Sequence, residues 1–345
     1  MSIPVECLYS VQNSSDFTSV RLATINECRF SRFVGLSLLI ISLASFAVNT
    51  HCLATNKRTP RLSRRDMGLV MGMFASSLCV IIISVPSVVA QCLLCRRLCI
   101  PLVCMIEGFN SFFNGCAAMY MLVALSFIRY ATTAKSTMSL TVQRALEKHN
   151  FSPVVVCFLI SSIWAVIPIS GRISAYAPEG LGFHCGLNWF DPSIAGRIYF
   201  FLLFVGVFFI PIIVVICINI HIHRTVYRIT HLKTFVLLGI YPLGGECHMR
   251  RHISDTLIDK ENRRLCRLLE DRRFVRATAI SVLIYMIAWT PYSVVALAQV
   301  FGDRLTLYNP WLMTSCALLA KTSMITNPII YSLILRSRGV RKRNK

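Results

Sequence analysis

Charged residues are scarce in this 345-residue chain, and acidic residues are the scarcest. Only 15% of the residues are charged, whereas 55% are hydrophobic and the mean hydropathy is +0.62. A typical soluble domain has about 25% charged residues, so the composition argues against a soluble enzyme and excludes a disordered or fibrous chain. No basic segment followed by an apolar run and a cleavage site opens the chain, so no removable signal peptide is expected. The composition predicts a membrane protein.

Seven apolar stretches reach or approach the length of about 20 residues that a membrane-spanning helix needs. The sequence therefore predicts an all-α membrane protein, a seven-transmembrane helix bundle over residues 33–335, with an N-terminal segment at 1–32 and a short basic tail at 336–345. A long loop at 223–273 joins the fifth and sixth spans. The predicted spans are residues 33–55, 67–90, 102–127, 153–170, 198–222, 274–300 and 311–335.

The distribution of basic residues predicts the orientation of the bundle. The chain has 36 Lys and Arg against 15 Asp and Glu, and most of the basic residues lie in alternate loops and in the tail. By the positive-inside rule these segments are cytoplasmic, so the N-terminus is outside and the C-terminus is cytoplasmic. The basic surplus favours contact with anionic membrane lipid and gives no reason to expect nucleic acid as a partner.

Two features lie outside the predicted spans, a glycosylation acceptor near the N-terminus and an apolar run in the long loop. Asn13 begins an Asn-Ser-Ser glycosylation acceptor on the predicted outer side. The apolar run at 235–243 in the long loop is too short to span and contains a proline. Contact with the membrane surface, contact with a partner and an error in the gene model all remain open for this run.

Two charged side chains fall inside predicted spans. Lys321 lies roughly 15 Å into the seventh span at 1.5 Å per residue, and Glu107 lies in the third. A lysine at that depth costs several kcal/mol, and its stem is too short to reach the surface, so a functional role is favoured over snorkelling. The two side chains are expected to pair across the bundle. A desolvated lysine is also a nucleophile that condenses with an aldehyde to a Schiff base.

Four short motifs accompany these charges. They are Lys321 seven residues before Pro328 with Tyr331 following, the sequence Ala288-Trp289-Thr290-Pro291-Tyr292, Cys104 three residues before Glu107, and Glu179 six residues before Cys185. Together they resemble the motifs of opsins, the retinal-binding branch of the rhodopsin-like G-protein-coupled receptors, and the resemblance covers all seven predicted spans.

The resemblance implies a retinal chromophore bound as a Schiff base to Lys321, with the 11-cis and all-trans isomers both open. It implies that Glu107 is the counterion, with Glu179 as the alternative counterion. Glu179 lies in a loop, where solvent is expected to screen its charge. The other residues expected to contact retinal are Trp289, Tyr292 and Phe208.

The resemblance also implies a disulfide between Cys104 and Cys185 and a signalling switch at the cytoplasmic end. A second disulfide between Cys7 and Cys28 is the other pairing considered, and no metal site is expected. Asp271 is either a cross-helix partner of the switch arginine or a solvated loop acid. The expected switch residues are Arg129, Tyr130, Asp271, Asn327, Pro328 and Tyr331.

Three positions depart from the receptor pattern. Ile128 replaces the acid before Arg129, Ser76 replaces the aspartate of span 2, and Asn219 occupies the usual place of a tyrosine in span 5. These departures favour a divergent non-visual opsin, for which neuropsin-like is one candidate subfamily. They leave retinal binding intact and put conventional coupling to a heterotrimeric G protein in question.

The sequence thus predicts a light-sensing G-protein-coupled receptor of the plasma membrane, which is not an enzyme. Photoisomerisation of retinal would shift the bundle between two packings. One alternative is a retinal photoisomerase with little or no G-protein signalling, which the three departures favour. The other is a receptor for a diffusible ligand in which Lys321 merely pairs with Glu107.

Overall fold

The computed structural model describes residues 23–56, 64–97, 100–133, 153–191, 193–236, 257–301, 309–323, 327 and 329–330. Within these ranges the side chains at 55–56, 64–66, 129, 131–133, 223, 225–226, 228–236 and 257–275 are not described. Several predictions fall outside the described residues. They concern Cys7, Asn13, Pro328, Tyr331, the tail at 336–345 and most of the apolar run at 235–243.

The described residues fold mainly into α-helices. Their bounds are α1 Ile25–Asn56, α2 Arg64–Cys79, α3 Val85–Leu94, α4 Pro101–Thr133, α5 Pro153–Val166, α6 Ile194–Leu203, α7 Ile210–Val236, α8 Leu257–Val300 and α9 Pro310–Lys321. Two π-helical turns, Val80–Ser84 and Phe204–Phe209, join α2 to α3 and α6 to α7, and a 3-10 turn, Ile167–Ser170, extends α5.

These helices group into the seven predicted spans. Spans 1 to 7 are α1, α2 with α3, α4, α5 with its 3-10 turn, α6 with α7, α8, and α9. The first six are long and apolar enough to cross a membrane by length and composition, and the described part of span 7 has 12 residues. The spans match their predictions within a few residues at one end at least, but α1 and α8 begin earlier than expected and α7 ends later. Helix therefore occupies both ends of the predicted loop at 223–273, over residues 223–236 and 257–273.

Span 3 is the centre of the bundle. It packs against spans 2, 4, 5 and 6, and its buried residues Met121, Leu122 and Leu125 belong to the main hydrophobic core. The π turn of span 5 is tied to this centre, because Tyr120 donates a hydrogen bond to the carbonyl of Gly206 (3.1 Å). A π turn leaves carbonyls without their usual helical partner, and here a side chain of span 3 supplies one.

A β-hairpin that the sequence analysis did not predict covers one end of the bundle. Strand β1, Tyr176–Glu179, pairs antiparallel with β2, His184–Leu187, so that Glu179 lies opposite His184. The turn between them uses Gly180 and Gly182, both with positive φ, a conformation that glycine adopts without strain. The expected disulfide between Cys104 and Cys185 is present and fastens β2 to span 3.

Two hydrogen bonds and one cation–π contact hold the turn of the hairpin. The Leu181 amide donates to Thr314 Oγ1 of span 7 (3.1 Å), and Arg97 Nε donates to the Leu181 carbonyl (3.0 Å). The Arg97 guanidinium also lies 5.5 Å above the ring of Phe183, within the range of a cation–π contact. The hairpin is therefore fixed to span 3, span 7 and the segment after span 2.

A second disulfide joins spans 1 and 2 at the same end. Cys28 is bonded to Cys95, so the pairing of Cys28 with Cys7 that the sequence analysis considered is wrong. The pairing follows from local structure: Cys95 ends α3 in a left-handed conformation, and Ser31 and Arg32 of span 1 donate to the carbonyls of Cys92 and Leu93. These bonds bring the start of span 1 against the last turn of span 2.

Span 1 begins with a capping box. The Thr24 amide donates to Glu27 Oε2 (2.7 Å), and the Glu27 amide donates to Thr24 Oγ1 (3.3 Å). This reciprocal pair satisfies amides that the first turn of a helix leaves without partners. The cap explains why α1 begins at Ile25, eight residues before the predicted apolar stretch.

We expect Cys185→Ser to lower the midpoint of thermal unfolding of the purified protein strongly. The loss of a native disulfide costs about 2–5 kcal/mol in small secreted domains, and β2 has no other covalent tie to span 3. Cys28→Ser should cost less, because the Ser31 and Arg32 hydrogen bonds still join spans 1 and 2. Cys79→Ser, which changes an exposed free thiol, is the matched control. A Cys185→Ser midpoint equal to that of Cys79→Ser would contradict the prediction.

Candidate functional site

Lys321 is the last residue of α9, at a point where the helix tightens. The Thr322 amide donates to the carbonyls of Ala320 and Leu319, and Ser323 Oγ donates to the Ala320 carbonyl (2.8 Å). Lys321 is partly buried. Among the described residues, no hydrogen-bond partner and no carboxylate within 4 Å is found for its amine, so the expected direct pair with Glu107 is not formed.

Glu107 is the more deeply buried of the two candidate carboxylates. Its side chain is 2% exposed. Oε1 accepts a hydrogen bond from the Cys185 amide (2.8 Å), and Oε2 accepts one from Ser87 Oγ (2.7 Å) and a longer one from Gln91 Nε2 (3.5 Å). The Glu107 carboxylate therefore joins span 3, span 2 and the hairpin.

The π turn of span 2 helps to aim this span at Glu107. Asn110, one turn beyond Glu107, donates to the Cys79 carbonyl at the start of the π turn (3.1 Å) and to Ser84 Oγ (2.7 Å). Ser84 Oγ in turn donates to the Glu107 carbonyl (3.1 Å). Ser84, Ser87 and Gln91 recur at the spacing of one helical face, so the same face meets the backbone and the side chain of Glu107.

Glu179 is held at the other side of the hairpin by three side chains. Its Oε1 accepts hydrogen bonds from Trp189 Nε1 (2.7 Å) and from Tyr292 OH of span 6 (2.8 Å). His184 Nε2 lies 3.3 Å from Glu179 Oε2. Glu179 is only 7% exposed, so the expectation that solvent screens this loop acid is wrong: the hairpin folds its side chain inward.

Gly186 makes room for the Glu179 side chain. Both residues lie on one face of the hairpin, since Glu179 is opposite His184 and Gly186 is two residues beyond it. A Cβ atom at position 186 would overlap the Glu179 carboxylate. Any larger residue would therefore displace the carboxylate from its partners.

Both carboxylates interact electrostatically with Lys321, and the interaction with Glu107 is the larger. Because the surroundings are buried, such charges are screened much less than they would be in water. The structure thus brings together the lysine and the two acids that the sequence analysis selected from spans 7 and 3 and from the loop before span 5.

Aromatic side chains surround this group of charges. Trp289 donates its indole N–H to Ser323 Oγ (3.1 Å), two residues beyond Lys321, and its ring stacks on Tyr285 at 5.5 Å. Tyr292 lies edge-on to both Trp289 and Trp189. Phe208 packs against the same hydrophobic cluster as Tyr292.

Sequence reasoning missed several residues of the site. Trp189, Ser87 and Gln91 contact the two carboxylates. Ser87 and Gln91 left a signal, because they are polar residues four positions apart in an apolar span. Trp189 left none, because its distance from Glu179 depends on how the hairpin folds back.

The structure describes only some of the residues of the predicted switch. Tyr130 meets His221 of span 5 edge-on, with ring centroids 5.1 Å apart, and Asn327 is buried. The side chains of Arg129 and Asp271 lie outside the described part of the chain, so the switch stays a prediction. Of the departures, Ser76 is buried, Ile128 packs against the main core, and Asn219 donates back to the Val215 carbonyl (2.8 Å).

Comparison with known proteins yields one family. The family described as "7 transmembrane receptor (rhodopsin family)" matches residues 48–331, which is most of the chain. The melanopsin of Podarcis siculus is 29% identical over 220 residues, which cover 64% of this chain and 42% of that protein. Melanopsin-A of Danio rerio is 32% identical over 234 residues, covering 67% of this chain and 35% of that protein.

Melanopsin of Mus musculus aligns over a longer region, at 26% identity over 303 residues, covering 87% of this chain and 53% of that protein. The chain thus spans between about a third and a half of the length of these three relatives. The crystal structure of squid rhodopsin superposes with a TM-score of 0.73 at 19% identity, covering 92% of this chain and 87% of that chain. The superposition confirms the seven-helix fold, and the sequence matches confirm the resemblance to opsins.

We expect Gly186→Ala to destabilise the protein by about 1–3 kcal/mol, the usual cost of overpacking. The added methyl group must push the Glu179 carboxylate away from Tyr292 or Trp189. The matched control is Gly68→Ala, where the new Cβ would meet its nearest atom at an ordinary 3.6 Å. Thermal unfolding of the two purified variants is the measurement. Equal midpoints would show that Glu179 is not held against Gly186.

Proposed function

We propose, because the chain belongs to the rhodopsin family of seven-transmembrane receptors, that it is a light-sensing receptor that binds retinal covalently at Lys321. The observation that carries the proposal is the position of Lys321. It lies inside the bundle, without a direct partner among the described residues, and under the electrostatic influence of two buried carboxylates. Such a lysine suits covalent attachment of an aldehyde better than it suits a structural ion pair.

The residues of the site fit this chromophore. Retinal, when bound, supplies the light-absorbing polyene and its photoisomerisation. The chain supplies one amine for attachment, carboxylates that balance a positive charge there, and the aromatic rings of Trp289 and Tyr292 as an apolar wall. Apolar lining with few, well-placed polar groups is the usual character of a small-molecule site.

Glu107 is the counterion in this proposal. It is the more buried acid and has the larger electrostatic interaction with Lys321. Glu179, by contrast, is already engaged by Tyr292, Trp189 and His184. The charge of Glu107 is therefore the one that a cation at Lys321 most depends on.

Signalling through a heterotrimeric G protein is the second part of the proposal. The match to a receptor family supports it, and Arg129, Tyr130, Asp271, Asn327, Pro328 and Tyr331 are the residues proposed to switch. We place the N-terminus outside, the basic tail in the cytoplasm and the receptor in the plasma membrane, in keeping with the positive-inside rule. Membrane lipid is the other proposed partner.

A retinal photoisomerase with little signalling is the alternative that specific observations favour. Ile128 packs into the core where the family pattern has an acid, and Asn219 donates to the Val215 carbonyl of its own helix. Both positions depart from the receptor pattern outside the proposed retinal site, so they bear on signalling and not on retinal binding. A diffusible-ligand receptor is disfavoured, because it requires the direct Lys321–Glu107 pair that the described residues do not form.

Lys321→Ala should abolish pigment formation. The purified protein is incubated in the dark with 11-cis or all-trans retinal, and its spectrum is recorded before and after light. Borohydride reduction followed by peptide mass spectrometry should locate the adduct on Lys321. A band above that of free retinal in Lys321→Ala would refute the attachment site, whereas an adduct with the all-trans isomer alone would favour the isomerase.

The two carboxylates should respond differently to neutralisation. Glu107→Gln leaves the cation at Lys321 without its main partner, so the cation gives up its proton and absorbance at neutral pH moves to the ultraviolet. Glu179→Gln is the matched substitution and should shift the visible band only slightly. Dark-state spectra of both pigments decide the matter. Loss of the visible band in Glu179→Gln, with retention in Glu107→Gln, reverses the assignment.

A further inference from the structure

A buried histidine faces the carboxylate that the proposed function leaves without a counterion role. His184 is the cross-strand neighbour of Glu179, and its Nε2 lies 3.3 Å from Glu179 Oε2. The two side chains are 6% and 7% exposed. His184 Nε2 forms no hydrogen bond with a described residue, so the contact is one of charge.

The charge count of the site calls for a second cation. Glu107 and Glu179 can contribute two negative charges, whereas Lys321 contributes one positive charge. A buried charge left without compensation is strongly destabilising. A protonated His184 balances the group: it lies against Glu179, and its charge also acts on Glu107.

Histidine is suited to this role because its charge changes between about pH 5 and 8. Phenol and thiol groups are ordinarily neutral in that range, and lysine and arginine are ordinarily charged. Variants of His184 and of Glu179 distinguish titration of the histidine from titration of the carboxylates. The titratable and charged groups around it are Glu179 of β1, Glu107 of span 3, Lys321 of span 7, Tyr292 of span 6 through Glu179, Cys92 of span 2 through Glu107, and Arg97 above the turn.

We propose that His184 controls how strongly the negative charge of Glu179 acts on the chromophore site. When His184 is protonated, its positive charge cancels the field of Glu179 at Lys321. When His184 is neutral, Lys321 experiences the full field of Glu179. The inference rests on the proposed function and deepens it by naming a residue that tunes the pigment. His184 acts through Glu179 and is therefore a positioning residue.

The sign of the spectral effect follows from electrostatics. Excitation of a protonated retinal Schiff base moves positive charge away from the nitrogen, so an extra negative charge near the nitrogen favours the ground state. The dark visible band should therefore move to shorter wavelength as pH rises and His184 loses its proton.

His184 variants test the proposal in the pigment. His184→Gln, neutral at every pH, should hold the band at the alkaline position of the wild type. His184→Lys, charged throughout this range, should hold it at the acid position. Glu179→Gln should remove the dependence on His184. His51→Gln, at the exposed opposite end of span 1, is the matched control and should titrate as the wild type does.

The retinal-free protein gives an independent readout. The imidazolium–carboxylate pair exists only while His184 carries its proton, so the advantage in thermal midpoint of wild type over His184→Gln should grow as pH falls and shrink as pH rises. Glu179→Gln should abolish this dependence on pH. This comparison does not require a pigment.

The outcomes separate this inference from the proposed function. A wild-type pigment whose band ignores pH, or a shift that persists in His184→Gln, overturns the role of His184 and leaves the proposed function standing. Failure of the wild type to form any pigment overturns the proposed function, and the midpoints of the retinal-free protein still decide the pair. If His184→Gln does not fold, the pH dependence of wild type compared with that of Glu179→Gln tests the same pair.

Discussion

The site depends on the fixed position of Cys185 above span 3. Its thiol is bonded to Cys104, and its amide donates to Glu107, one helical turn further along the same span. The covalent bond and the hydrogen bond therefore hold one residue of the hairpin at two points of one helical face. An amide held at a carboxylate is a charge-assisted donor, and it keeps its place because the disulfide leaves the strand no freedom to move.

The other contacts of the hairpin follow from this fixed position of Cys185. A hairpin fixed at Cys185 places Glu179 over Gly186, where Tyr292 and Trp189 can reach it. The turn is then held by span 7 through Thr314. The hairpin thus carries one acid of the site itself and orients the other, while the amine comes from span 7. No single helix could gather these groups.

The sequence predicted the charges of the site more fully than it predicted their environment. Lys321 and Glu107 stand out because a charge inside an apolar run is costly, whatever the fold. Glu179 was selected as the alternative counterion, but its burial was not predicted, because burial depends on a hairpin whose short strands have no clear period. The pairing of Cys28 was missed for a similar reason: Cys95 lies beside it only because α3 ends in a left-handed turn.

Buried polar groups of the bundle differ in how completely they are satisfied. Near the hairpin, the carboxylates of Glu107 and Glu179 each have several partners. By contrast, His184 Nε2 in the hairpin and the side-chain oxygens of Ser76, Ser126 and Asn327 form no hydrogen bond with any described residue. A satisfied buried group resists displacement, because moving it forfeits about 1–3 kcal/mol. Displacing either carboxylate would break several of these hydrogen bonds at once, so they fix the hairpin against spans 2, 3 and 6.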